Sequence, residues 1–300
     1  MSSNPIQSLG RRGRRLAMLA AALLLVAPPG ASAQNPEIRL LEDDSGWTLQ
    51  VDGRDFMVLG MNWDYFPIGE NYNYTLWNQS DDFIIAALDR EMSLLKSMGV
   101  NAIRQYVGVP PRWVQYIYER YGIWTILNHA VGRYGVTVDG VWIQNTDYSD
   151  PRTREILTAE VVAMVQEHRD TPGVLMWLLG NENNYGLTWS SAETEDLPVG
   201  ERDAARARYL YSLFGDVIQA IKQVDTSRPV AMANGDLQYI DLIAEETRGL
   251  DVFGANVYRG ISFTGMWEEV EEKLGIPVLL TEFGADAWNA KEMREDQYTQ

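Results

Sequence analysis

Trp177-Leu178-Leu179-Gly180-Asn181-Glu182-Asn183-Asn184 begins as an apolar run and ends in three amides around one carboxylate. Buried parallel strands read as continuous hydrophobic runs rather than as alternating ones. In a barrel of such strands the chemistry gathers at their C-terminal ends. The stretch therefore predicts a buried strand over 174–179 that delivers Glu182 to a functional face. Val278-Leu279-Leu280-Thr281-Glu282-Phe283-Gly284 ends the same way and offers a second carboxylate.

Outward from these two runs, the chain alternates. Segments 47–51 and 55–59 flank Asp52-Gly53, a favoured hairpin turn. The second continues as a strand over 56–62. A helix over 83–98 follows, with Ile84, Leu88, Met92 and Leu95 on one face and Gly99 as its stop. Strand 100–106, helix 111–120 with proline at its start, and strand 123–129 come next. Asp150 caps a helix running to 168. Beyond strand 174–179 the pattern predicts helix 203–224, strand 229–233, helix 239–246, strand 251–258, helix 266–274 and strand 277–282. Alternating β and α elements imply a parallel sheet. Polar residues at every strand end point to an α/β fold of the (β/α)8 TIM-barrel type, preceded by a short β-hairpin. No G-x-G-x-x-G follows the first strand, which argues against a dinucleotide-binding sheet. Seven strands are counted, and the 17 residues after Phe283 predict no eighth. The barrel is thus read as truncated before its eighth strand, with C-terminal sequence missing.

Composition narrows the function. The chain has 300 residues, 46% apolar content and a net charge of -17. So acidic a protein is poorly suited to a phosphate backbone, and no nucleic-acid partner is expected. Arg11, Arg12, Arg14 and Arg15, then an apolar core over 16–26, then Ala31-Ser32-Ala33, read as a secretory signal cleaved after Ala33. The division expected is a signal peptide over 1–33 and a TIM-barrel domain over 34–300, secreted or periplasmic. The apolar run is too short for a comfortable span, so no stable membrane insertion is expected after cleavage. With no cysteine and two histidines on different elements, neither a metal site nor a cofactor is indicated. Nothing in the sequence fixes an oligomeric state.

Two carboxylates at facing strand ends suit glycoside hydrolysis. One carboxyl protonates the leaving oxygen while the other attacks the anomeric carbon or activates water. Glu182 and Glu282 fall on the fourth and seventh strands counted, which face each other across a barrel mouth. Other strand ends carry candidates for binding a sugar. Asn128 and His129 end the third strand, and Trp63, Trp189 and Trp288 follow strand ends and could stack on sugar rings. Trp124 and Trp177 fall inside strands and read as packing, and His168 at a helix C-terminus reads as structural.

Asn181-Glu182 and Thr281-Glu282-Phe283-Gly284 resemble the retaining glycoside hydrolases of clan A, most closely the TIM-barrel catalytic domain of family 2 and more distantly family 5. The hairpin over 49–56 followed by Gly60-Met61-Asn62, the run Met98 to Arg104, and Asn256-Val257-Tyr258 resemble further motifs of family 2. The resemblance covers roughly residues 47 to 288. It implies Glu182 as acid/base and Glu282 as nucleophile, with Arg104 and Tyr258 beside the nucleophile and Asn181 on the sugar 2-hydroxyl. The partner implied is an oligo- or polysaccharide. Ile103-Arg104-Gln105-Tyr106 also resembles the β-1,3-glucanosyltransferases, which transfer the glycosyl group instead. A carbohydrate-binding barrel without turnover is the alternative of another class.

Overall fold

The apolar runs read as strands have two faces to bury, and in the computed structural model both are covered. Residues 36–298 are described, apart from positions 45, 72, 107, 190, 191, 260, 261, 285 and 286. The signal read over 1–33 lies outside the described residues. Strand β1 (Ile38–Asp43) pairs antiparallel with β2 (Gly46–Val51), which turns through Asp52-Gly53 into β3 (Arg54–Asp55). Then β4 (Gly60–Asn62), α1 (Asp81–Ser97), β5 (Ala102–Gln105), α2 (Pro111–Tyr121) and β6 (Trp124–His129) follow. A hairpin of β7 (Val136–Val138) and β8 (Val141–Ile143) precedes α3 (Pro151–His168). The alternation resumes with β9 (Val174–Leu179), α4 (Val199–Val224), β10 (Val230–Gly235), α5 (Ile240–Glu246), β11 (Val252–Val257), α6 (Met266–Lys273) and β12 (Val278–Phe283). A last hairpin joins β13 (Trp288–Asn289) to β14 (Arg294–Glu295).

The main sheet has seven parallel strands in the order β12-β11-β10-β9-β6-β5-β4. Spatial order follows chain order throughout, with no reversal of the kind that defines a doubly wound sheet. The two end strands approach each other at their C-terminal ends, where the Asn62 amide donates to the Thr281 carbonyl at 3.2 Å. The result is a nearly closed barrel of seven strands, as the alternation predicted. The terminal hairpin stays outside this sheet, so no eighth barrel strand is present among the described residues.

Successive strand residues point to opposite faces, and here the faces feed separate cores. Ile103, Leu127, Trp177, Leu179, Met232 and Phe253 pack outward against the helices. Ala102, Trp124, Ile126, Leu178, Ala231 and Ala233 point inward. Ile38 joins that inner core, and Leu40, Leu49 and Val51 pack on it, so the β1–β2 hairpin stoppers the barrel floor. Trp124 and Trp177 are core residues as expected, and the Trp177 indole donates to Asp225 at 2.9 Å. Asp150 caps α3 through the Thr153 amide at 2.7 Å. His168 bonds the Val109 carbonyl at 2.7 Å, a structural use.

Three elements were not foreseen: β1, the β7–β8 hairpin and the β13–β14 hairpin. The two hairpins have strands of two or three residues, with β8 and β14 exposed along their length, and most of β1 is exposed, so no buried run marks them. Helix α4 begins four residues before its apolar spacing does, directly after Pro198.

Inside the barrel, β10 and β12 approach β11 too closely for a side chain at Gly254. A Cβ there would stand 1.9 Å from the Met232 carbonyl oxygen and 2.9 Å from Thr281 Cγ2. Gly254→Ala is expected to destabilise the protein by roughly 1–3 kcal/mol, the usual cost of overpacking. An unshifted urea midpoint would contradict this packing.

Candidate active site

Alternation along β5 puts Ala102 and Arg104 on the inner face, and Arg104 stands in the barrel mouth at 4% exposure. A buried guanidinium must find partners for its donors. Its Nε donates to Asn128 Oδ1 at 3.0 Å, Nη1 to Glu282 Oε1 at 2.9 Å, and Nη2 to Asn181 Oδ1 at 2.7 Å. Asn128 in turn donates to the carbonyls of Leu178 and Gly180 at 3.2 and 2.8 Å. One cation thus ties the ends of β5, β6, β9 and β12 together.

Glu282 receives two further donors. Tyr106 donates to Oε1 at 2.7 Å and Tyr258 to Oε2 at 2.9 Å. The Tyr106 ring also lies under the Arg104 guanidinium, 4.3 Å from its centroid. Burial, reinforced by the bond to Glu282, pushes the Tyr258 hydroxyl up to about 12. Burial raises Tyr106 still further, the bond to Glu282 adding to it and Arg104 opposing it. Both phenols therefore remain protonated donors across the neutral range.

Glu282 owes its direction to an irregularity. Ala255 pairs with Leu280, but Asn256 pairs with Glu282, which leaves Thr281 as an extra residue in β12. Such a bulge re-aims the side chains around it. Thr281 donates inward to Asn256 Oδ1 at 2.6 Å, and Glu282 also faces the mouth.

Glu182 is reached through a turn that only certain residues allow. At Gly180, φ is +77°, and a Cβ would meet Asn183 Oδ1 at 2.7 Å and Phe214 Cζ at 2.8 Å. Glu182 itself adopts φ +56°, unusual for a residue with a side chain. Its N–H is held by the Ala233 carbonyl at 2.9 Å. Residues held in such conformations concentrate at functional sites. The Glu182 carboxylate accepts from Asn256 Nδ2 at 3.1 Å, and the same amide reaches Asn181 Oδ1 at 3.3 Å. A continuous path of hydrogen bonds, Glu182–Asn256–Asn181–Arg104–Glu282, joins the two carboxylates. This is an arrangement for holding two acids on one bond.

Of the residues singled out from sequence, Glu182, Glu282, Asn181, Arg104, Asn128 and Tyr258 are brought together. His129 is not, because Asn128 faces inward and its neighbour must face the helices. Its Nδ1 accepts from the Val131 amide at 3.1 Å, and its Nε2 stands 3.6 Å from Glu160 on α3. Trp63 is likewise turned outward, 6% exposed and packed against Trp77, so it offers no stacking face. Trp288 sits half-exposed on the terminal hairpin, with no bond to the carboxylate cluster among the described residues. Trp189 follows the turn after Glu182 and lies over Arg133 at 4.7 Å.

Four contributors were missed: Tyr106, Asn256, Thr281 and Asp64. Tyr106 and Asn256 each lie two residues from a recognised residue on one strand face, which was the available signal. Asp64, just past β4, accepts from Gln105 Nε2 at 2.6 Å. Burial holds its carboxyl up at about 6, against the opposing charge of Arg104. Among the described residues, no group of three or more histidines and acids is gathered to hold a metal ion.

Comparison with known proteins agrees with this architecture. The family model described as "Glycosyl hydrolases family 2, TIM barrel domain" matches residues 82–300. A β-galactosidase of Lactococcus lactis subsp. lactis (strain IL1403) is 25% identical over 168 residues, covering 53% of this chain and 15% of that enzyme. A β-galactosidase of Arthrobacter sp. (strain B7) is 27% identical over 159 residues, covering 51% and 15%. The chain thus matches about 15% of the length of these curated relatives. Bacteroides uniformis β-glucuronidase 2, solved covalently bound to cyclophellitol-6-carboxylate aziridine, superimposes with a TM-score of 0.59 at 16% identity, covering 84% of this chain and 28% of that one. A GH2 β-galacturonidase from Eisenbergiella tayi bound to galacturonate gives 0.55 at 18%, covering 85% and 39%. At such identities the shared property is the fold.

The outward placement of His129 has a consequence for stability. Burial pushes its imidazole down to about 4, so the folded chain keeps it neutral where the unfolded chain, near 6.5, takes up a proton. Its contribution is complete above pH 6.5 and is lost as pH falls towards 4, by roughly 1–3 kcal/mol. Asp64 acts oppositely, favouring the fold at low pH and losing that contribution as pH rises through about 6. Comparison with His129→Gln therefore isolates the histidine: urea unfolding from pH 7 to 4 should show a shallower loss in the variant. Parallel profiles would refute a His129 held neutral by its partly buried surroundings.

Proposed function

Since the chain belongs to the glycosyl hydrolases of family 2 by its TIM-barrel domain, we propose that it cleaves O-glycosidic bonds with retention, Glu282 attacking and Glu182 moving the proton. The observation that carries this reading is the set of three donors fixed on Glu282, with Glu182 joined to it through Asn256, Asn181 and Arg104. The names of the relatives, β-galactosidase and β-glucuronidase, support a β-linked hexopyranoside as substrate.

In the first half-reaction a Glu282 oxygen bonds to the anomeric carbon while the bond to the leaving oxygen breaks. Glu182 gives its proton to that oxygen, and a glycosyl ester of Glu282 remains. In the second, Glu182 takes a proton from water as the water oxygen attacks the same carbon, and Glu282 departs as carboxylate. Arg104 and the two phenols hold the attacking group in one orientation throughout, which lowers the entropic part of the barrier. Asn181 uses one amide hydrogen on Tyr134 Oη at 2.8 Å. Its second hydrogen has no partner among the described residues and can meet a sugar 2-hydroxyl, a contact that tightens as positive charge develops on the ring. The same reading has the mature chain exported, a point that N-terminal sequencing of the mature protein addresses.

Glu282→Ala is expected to abolish turnover, and a 2-deoxy-2-fluoro glycoside should leave an adduct on the peptide containing Glu282. Glu182→Ala should slow natural-type linkages by about 10²–10⁴-fold, the usual worth of a general acid, and activated aryl glycosides far less. Equal losses on both substrate types would contradict the role given to Glu182, and an adduct elsewhere would contradict that of Glu282.

A further inference from the structure

A cleft adjoins the chain segment that carries Glu182. Narrow and partly open to solvent, it is lined by Arg133, Gln144, Asn145, Tyr148, Trp189 and Glu193 among others. It is built on the same chain segments as the site. Trp189 and Gly186 belong to the turn that follows Glu182 directly. Tyr148 Oη accepts from Asn183 at 3.0 Å, and Tyr134, next to Arg133, accepts from Asn181.

Arg133 is the unusual member. Its guanidinium lies 5.4 Å from the Tyr134 ring centroid and 4.7 Å from that of Trp189. Its Nε and Nη1 are buried, yet neither has a hydrogen-bond partner among the described residues. Buried donors are nearly always satisfied, and leaving them unpaired costs free energy that an incoming acceptor recovers. Arg206 stands 3.5 Å from both Glu193 and Asp203 and donates to the Leu187 carbonyl at 2.9 Å. Arg133 is the cleft cation that forms no ion pair among the described residues. What covers its fork is a 44% exposed indole and a turn at Gly186, where a Cβ would stand 3.0 Å from Nη1. Neither is part of the packed core, so an acceptor reaches the fork by shifting the edge of Trp189.

An acid/base must stand beside the departing oxygen, so a cleft on its following turn receives the leaving group. We propose that Arg133, walled by Trp189 and Tyr134, binds a carboxylate on the leaving-group side of the substrate, making the preferred substrates acidic oligosaccharides with a uronic acid in that position. The planar guanidinium matches a carboxylate through two parallel N–H bonds, and the aromatic faces suit the attached ring. This assignment rests on the glycosidase reading for the meaning of "leaving group", but its binding chemistry does not.

The test compares 3-carboxyumbelliferyl and 4-methylumbelliferyl β-glycosides of the same sugar, in the wild type, Arg133→Gln and Arg133→Lys. The wild type should favour the carboxylated leaving group by about tenfold in kcat/KM, mainly through KM. Arg133→Gln should erase that preference, and Arg133→Lys should restore part of it. If both substrates fall in equal proportion in Arg133→Gln, the arginine only braces Tyr134 and the proposal is wrong. Saturation-transfer NMR with methyl β-D-glucuronide and methyl β-D-glucoside gives a readout independent of turnover. Tighter glucuronide binding that Arg133→Gln abolishes sustains the subsite even in a chain that hydrolyses nothing, which would overturn the glycosidase reading alone. Binding unaffected by Arg133→Gln overturns the subsite whatever the turnover.

Discussion

Arg104 is the constraint on which the barrel mouth depends. A guanidinium withdrawn from water is tolerated only with its charge answered and its donors used. Here each of its three nitrogens reaches a residue at the end of a different strand. The arginine is thus a fixed template as well as a charge. Asn128, Asn181 and Glu282 cannot move independently, because each movement would leave a buried donor without an acceptor. Removing one partner of such a buried arrangement typically costs about 3–5 kcal/mol. The precision of the mouth therefore comes from a penalty for disorder more than from any strong single bond.

The opposite end of the barrel is built from different physics. There the inner face is apolar, and the β1–β2 hairpin covers it with Ile38, Leu40, Leu49 and Val51. Small residues such as Ala102, Ala231 and Ala233 leave room for Trp124 and Ile126 within one closed circumference. A close-packed apolar floor beneath a polar, hydrogen-bonded mouth divides the labour. Burial of apolar surface supplies stability, while the hydrogen-bonded layer above it supplies geometry.

Much of this was legible before any coordinates. The long apolar runs marked the strands, the strand-end rule led to Glu182 and Glu282, and the resemblance to family 2 led to Arg104. Strand-end position alone does not place a side chain; the alternation of strand side chains does. Once Asn128 and Asn62 face the mouth, His129 and Trp63 must face the helices, and that is where they lie. The same rule run forward from Arg104 reaches Tyr106, and run backward from Tyr258 reaches Asn256. The bulge at Thr281 was beyond such reasoning, since it breaks the alternation on which the reasoning rests. It depends on contact between Thr281, Gly254 and Asn256, residues of different strands. The left-handed backbone of Glu182 is similarly a product of its tether to Ala233 on β10 rather than of local preference.

That bulge bears on how this chain can change over generations. In a regular strand, neighbouring codons specify opposite faces, so one insertion or deletion exchanges inside for outside along everything that follows. Here the extra residue is already in place, so Thr281 and Glu282 face inward side by side. Loss of the Thr281 codon would set the glutamate directly after the outward Leu280. Regular alternation there still aims it at the mouth opposite Asn256, and only the Thr281 hydroxyl on Asn256 would be lost. What the bulge gives strand β12 is two successive inward groups, a hydroxyl on Asn256 and a carboxylate on Arg104, which a regular strand cannot present from neighbouring residues.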